Sequence, residues 1–147
     1  MKNNSNLFYT CSLIEFIGRT QRLKRSEVVR ALNMENISRI YQFADVFHCE
    51  PMEKTADDFI TMQEIPEGDF DNVADCRYEV PDYWTIGAVY ERLIEDISED
   101  DEESVMDHLW EVYDSWISDE ISNYNSDFYY QSREYIYTCY MEGHVCE

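Results

Sequence analysis

Glycine and proline are scarce, four and three in 147 residues. A turn-rich β architecture needs both at its corners, so the shortage argues against one. The five cysteines (Cys11, Cys49, Cys76, Cys139, Cys146) are odd in number, widely spread and contain no CxxC pair. Neither a disulfide framework nor paired zinc ligands are indicated, and reduced thiols are expected. His48-Cys49 and Cys139 with His144-Val-Cys146 lack zinc spacing, and Cys146 is expected to be an exposed free thiol. No uncharged apolar run approaches the roughly 18 residues of a membrane-spanning helix. At the N-terminus one basic residue, Lys2, precedes a short apolar stretch that Glu15 interrupts, with no small-residue cleavage site behind it. That is not a signal-peptide pattern, and a soluble cytoplasmic protein is expected. There is no glycine-rich phosphate loop or nucleophile elbow, and Asp69-Phe-Asp71-Asn72 lacks the ligand spacing of an EF-hand. The residues suggest neither an enzyme nor a cofactor or metal site.

Positive charge is the largest deficit. Eleven Lys and Arg face 32 Asp and Glu, a net charge of −21. The imbalance is also uneven. Residues 1–40 hold seven cations against three acids, a net of +4, while residues 41–147 hold four against 29, a net of −25. Solubility of a small domain asks for a charge of only about 2–8 in magnitude. The excess points to a surface that meets something basic or repels something acidic.

What is present is helical period. Leu7, Phe8, Cys11, Ile14 and Phe16–Ile17 give a wide apolar face over about 6–20, ended by Gly18 and a basic loop, Arg19–Arg25. Ser26 is placed to cap a short helix through Leu32, Asn33–Asn36 forms a turn, and a further helix runs to His48. Thr55 caps another, carrying Phe59 and Ile60. Residues 66–82 lack any period and form a long loop, with a brief strand indicated near Cys76–Val80. Pro81-Asp82 starts the cleanest helix, through Ile97; Ser98–Glu103 is a solvated acidic turn, and the period resumes from Val105 to Ile121. A last helix spans about Arg133–Met141. The expected fold is all-α, a compact helical bundle of about six or seven helices with a long central loop. Residues 1–65 form an N-terminal subdomain with the basic loop, 66–82 a linker, and 83–147 an acidic, aromatic-rich subdomain sharing one core.

Two surfaces suggest binding. Arg19, Arg22, Lys24 and Arg25 lie beside two short helices joined by a tight turn, as a helix-turn-helix DNA reader would require. The second helix offers mainly Arg39 and Gln42 beside Glu35 and Asp45, and the rest of the chain would repel DNA, so direct nucleic-acid binding is disfavoured. Alternatively, the basic loop pairs with the chain's own acids. The second surface is aromatic. Tyr124, Phe128, Tyr129, Tyr130, Tyr135, Tyr137 and Tyr140 fall within 17 residues among Asn and Ser. Tyrosine supplies interface area at low entropy cost. With Trp110, Trp116, Glu111, Asp114 and Glu120, the segment suits a basic, partly apolar partner. Acids at Glu91, Glu95, Glu99 and at Asp107, Glu111, Asp114, Glu120 also offer two stripes that would mimic nucleic acid.

The stretches Phe8-Tyr-Thr-Cys-Ser-Leu-Ile-Glu-Phe-Ile17, Ile37-Ser-Arg-Ile-Tyr41, Ala44-Asp-Val-Phe-His48, Tyr83-Trp-Thr-Ile-Gly-Ala-Val-Tyr90 and Tyr113-Asp-Ser-Trp-Ile-Ser-Asp-Glu-Ile121 together resemble an uncharacterised family of small acidic bacterial proteins of about this length. The Asp45–His48 portion is also similar to a shorter family with a "YDVLH"-like segment. Both are associated with small gene clusters that encode an ADP-ribosyltransferase-like toxin candidate. The resemblance implies an accessory or neutralising partner, of the antitoxin or immunity kind, and not a catalyst; it brings no functional residues with it. The alternative expectation is a nucleic-acid-mimic inhibitor of a host defence or DNA-binding machine.

Overall fold

The computed structural model describes residues 4–146; Lys2, which entered the N-terminal reading above, lies outside them. Among the described residues there are eight α-helices and no strand. The first, α1 (Ser5–Gln21), is buried on nearly every side and packs most extensively against α5 (Tyr83–Ser98), then against α2 (Arg25–Gln42) and α4 (Met52–Met62). All-round apolar character suits such a central helix. The Asn4 side chain caps it by accepting the Leu7 N–H at 3.0 Å. The remaining helices are α3 (Ala44–Phe47), α6 (Val105–Tyr113), α7 (Trp116–Ile121) and α8 (Arg133–Glu142). Buried residues from both halves of the chain join one apolar core, in which Tyr90 of α5 stacks on Tyr113 of α6 at 4.1 Å between ring centroids. No helix among the described residues is long and apolar enough to cross a membrane.

Several expected boundaries move, each for a local reason. Gly18 does not end α1; the helix runs on to Gln21, and the bare face of Gly18 accommodates the Arg25 side chain, whose Cδ would stand 2.5 Å from a β-carbon there. Helix α2 starts at Arg25 with Lys24 as its N-cap, so Ser26 is not the cap. Thr55 lies buried inside α4, which starts at Met52. Asn33 breaks α2 at φ 70°, and its side chain accepts the Asn36 N–H at 3.0 Å, which recaps the second half. The helix expected over 36–48 is interrupted at Phe43, and the one over 105–121 at Asp114–Ser115. The interruptions at Phe43 and Asp114–Ser115 each add a helix, while α2 runs on across Asn33 as one element where two helices and a turn were expected, which gives eight. The strand expected near Cys76–Val80 is irregular chain. Asp82 caps α5 by accepting the Thr85 N–H at 2.7 Å. The acidic run beyond α5 is a turn through Glu99 and Asp100, both at positive φ, followed by a 3-10 turn at Glu102–Ser104.

Candidate functional site

The basic loop is mostly internal. Arg25 is 1% exposed and Glu15, on α1, is fully buried. Arg25 Nε and Nη2 reach the two Glu15 oxygens at 2.8 and 3.0 Å, and Arg19 Nε reaches Glu15 Oε2 at 2.9 Å. Tyr124 also donates its hydroxyl to Glu15. Arg25 Nη2 continues to Asn72 Oδ1 at 3.2 Å, and Asn72 donates to the Ser122 carbonyl at 2.9 Å. Arg19 Nη2 bonds the Pro81 carbonyl at 2.7 Å. Burial alone would raise the Glu15 carboxyl, but the charges and hydrogen bonds of Arg25 and Arg19 outweigh it and hold the group down at about 2. Arg25 is thus turned wholly inward, and Arg19 directs its Nε and Nη2 to the chain's own acceptors. Arg22 is half-exposed and bonds the Gly68 carbonyl at 3.1 Å, while Lys24 is exposed.

This cluster pins the central loop to the C-terminal segment. Asn125 Oδ1 accepts the Arg77 N–H at 2.8 Å, and Asn125 Nδ2 bonds the Asp75 carbonyl at 3.1 Å. The strapping presents an aromatic ridge. A 3-10 turn at Phe128–Tyr130 points Phe128 inward, against Trp116 and Tyr135 at 6.4 and 6.2 Å, and leaves Tyr130 81% exposed. Tyr129 packs beside Tyr130 at 5.5 Å. Partial burial, followed by its neighbours Cys76, Tyr130 and Glu79, raises the Tyr129 phenol, which stays neutral near pH 7. The ridge separates two grooves. One, of about 550 Å³, is shared with Tyr78, Glu79 and Asp127. The other, of about 600 Å³, runs along Val80–Asp82 and the start of α5. Glu79, Asp82 and Asp127 give these walls negative charge, and among the described residues Arg92 is the one cation lining either groove.

Of the expected partner-binding residues, Tyr129 and Tyr130 lie on this ridge. Tyr124 and Phe128 are each 3% exposed, so they support the ridge from inside and are not themselves contact surface. Trp110 and Trp116 are half-buried against the core. Glu111 and Asp114 are exposed on or just beyond α6, with Asp114 paired to Arg30, and Glu120 is half-buried on α7; neither groove takes a residue from α6 or α7. Tyr78 and Glu79 were missed by sequence reasoning. Their only signal was an aromatic and an acid together in a loop without period. Of the two acidic stripes, the first fails, because Glu91 and Glu95 are buried on α5. Burial first, and then Glu95 beside it, push the Glu91 carboxyl up to about 8. Glu95 accepts the Asn4 N–H at 2.6 Å and faces Arg133 at 3.4 Å.

Among the described residues no group of three or more His, Cys, Asp or Glu is arranged to hold a metal ion, and all five cysteines are unpaired. Cys146 is half-buried and not exposed as expected; its N–H meets Cys139 Sγ at 3.2 Å, and its thiol bonds Glu142 at 3.1 Å. No protein-family model, curated protein or solved structure matches the chain.

Proposed function

We propose that this protein is a non-enzymatic binding module of the antitoxin or immunity kind, which neutralises a basic protein partner. The observation that carries the reading is the tyrosine ridge, with Tyr78 and Tyr130 exposed and Tyr129 half-buried between them, set among Glu79, Asp82 and Asp127 on a chain of net charge −21. Exposed Tyr in a groove wall is favourable hot-spot chemistry, and surrounding carboxylates attract a basic surface and speed its approach. Arginine-bearing segments suit it best, since guanidinium both stacks on aromatic faces and pairs with carboxylates. The test is recovery of partners from the native host with the wild-type chain and with the Tyr129→Ala/Tyr130→Ala variant, at low and moderate salt. The expected result is one stoichiometric basic protein, kept at moderate salt by the wild type and lost by the variant, with an association rate that falls as salt rises. Equal recovery by both chains, or an association rate indifferent to salt, overturns the reading.

A second reading, a nucleic-acid mimic, draws support from Asp107 and Glu111 on α6 and Asp114 at its C-cap, which are exposed at i, i+4, i+7 spacing. Duplex DNA that competes for the recovered partner, with no effect of the tyrosine variant, would favour mimicry.

A further inference from the structure

A cavity of about 410 Å³ opens where α1, α3 and the start of α5 meet, and it shares no lining residue with the two grooves of the tyrosine ridge. Among the described residues its walls carry four aromatic side chains, Phe8, Tyr9, His48 and Trp84, with the polar Ser5 and Asn6, Asp45 as the one carboxylate and no Lys or Arg. The rings are mutually braced. Phe8 and Trp84 lie 5.3 Å apart at 37°, His48 meets Trp84 edge-on at 6.0 Å, and Tyr9 meets His48 edge-on at 5.5 Å. Trp84 is further backed by Tyr83 at 4.9 Å, which itself rests on Phe16 of α1 at 5.0 Å. Phe8 and Trp84 are half-buried, while His48 and Asp45 stand at the solvent edge. The size falls in the range of small-molecule sites, about 300–1,000 Å³.

We infer that this cavity is a binding site for a small organic cation of the alkylated-ammonium class. Aromatic faces attract cations through their quadrupole, and quaternary ammonium groups are the ligands that several converging rings recognise best. Such a head is apolar on its surface, so the ring walls desolvate it at low cost, and Asp45 supplies the countercharge. An anionic ligand would meet Asp45 and a strongly negative molecule. A neutral polar ligand would find hydrogen-bond partners only at Ser5, Asn6 and Asp45 and would lose the rest to ring walls. The bracing of Trp84 by Tyr83 and Phe16 preorganises the cage, which lowers the ordering cost of binding.

The test titrates the full chain with choline and with 3,3-dimethyl-1-butanol, the uncharged isostere in which carbon replaces the ammonium nitrogen. The three tryptophan indole N–H signals are followed by NMR. Choline is expected to shift the Trp84 signal saturably and leave Trp110 and Trp116 unmoved. The isostere is expected to bind at least about tenfold more weakly, the fold-change of one desolvated cation–π contact. Asp45→Asn, at an exposed position where folding is not at stake, is expected to weaken choline several-fold, and Trp84→Leu to abolish the binding. A peptide bearing trimethyllysine that binds more tightly than choline assigns the cation to a protein side chain, and the reverse order to a free metabolite; both support the cage. Equal affinity for choline and its isostere, an Asp45→Asn variant with unchanged affinity, or no saturable shift overturns the inference.

Discussion

Gly87 of α5 lies directly against Ser12 of α1: a β-carbon at position 87 would stand 2.1 Å from Ser12 Oγ and 2.9 Å from its Cα. The two small residues set how closely the central helices cross, and side-chain rotation at Ser12 cannot relieve a clash with its own backbone. Gly87→Ala gains about 1 kcal/mol of helix propensity, but overpacking costs roughly 1–3 kcal/mol. The expected net effect is destabilisation, and Gly87→Val should exceed it. Urea unfolding monitored by circular dichroism measures both.

Removing one partner of the Glu15–Arg25 pair leaves the other charge buried. Glu15→Ala is expected to cost about 3–5 kcal/mol, whereas Glu15→Leu with Arg25→Met should recover most of that loss. The pH dependence has a definite sign. Glu15 is held at about 2 in the folded chain, below the roughly 4.3 of an unfolded glutamate. Its contribution is therefore present above about pH 4 and disappears as pH falls towards 2. Acid unfolding of the double variant, compared with the wild type, isolates that term.

Glu91 has the opposite sign. Its carboxyl titrates near 8 when folded, so between about pH 4.3 and 8 the native state keeps a proton that the unfolded chain has released. Arg92 and Arg133 oppose this shift without cancelling it. Stability should fall as pH rises through that interval, by up to about 1.4 kcal/mol per pH unit, and level off above it. Glu91→Gln should flatten the dependence and be more stable than the wild type at pH 8.5. Denaturation midpoints at pH 5.5, 7 and 8.5 decide it.

Tyr130 and Tyr124 should separate binding from folding. Tyr130→Ala, at an exposed site, is expected to change stability by no more than about 0.5 kcal/mol while weakening partner binding. Tyr124→Ala removes a buried ring and a donor to Glu15, and should cost about 3–5 kcal/mol. Melting temperatures of the two variants, measured side by side, give the comparison.

Added salt should raise the melting temperature, because self-repulsion of a −21 molecule is screened. A flat response between 20 and 500 mM sodium chloride would mean that the acids are already compensated.

Apolar period placed α1 and α5 to within a residue or two, because each presents a run of core-facing residues long enough to define its phase; α8 was placed as closely on Ile136 and Cys139 alone. One group of failures concerns charge. A charged side chain ordinarily marks surface, yet Glu15, Arg25, Glu91 and Glu95 are all buried. Tyr124 lies 109 positions from Glu15 and Arg25 ten, and local pattern does not announce either pairing; only Arg19, four positions on, stands at helical pairing distance. Gly18 has the form of a helix stop because glycine commonly ends helices; here its missing side chain makes room for an arginine instead. The tyrosine ridge was half legible. Composition pointed to residues 124–140, but a 3-10 turn decided that Phe128 faces in and Tyr130 out, and only the folded loop brings Tyr78 and Glu79 alongside.

The Glu15 cluster also bears on the order in which the chain can assemble during synthesis. Glu15, Arg19 and Arg25 are made close together and can pair at once, but Asn72, Pro81, Ser122 and Tyr124 complete their hydrogen bonds. Until Tyr124, 109 positions after Glu15, has left the ribosome, the centre of α1 lacks its cover and the pair stays wet. The nascent helix is thus held in waiting by its own charges, with final closure falling to a tyrosine made long after it.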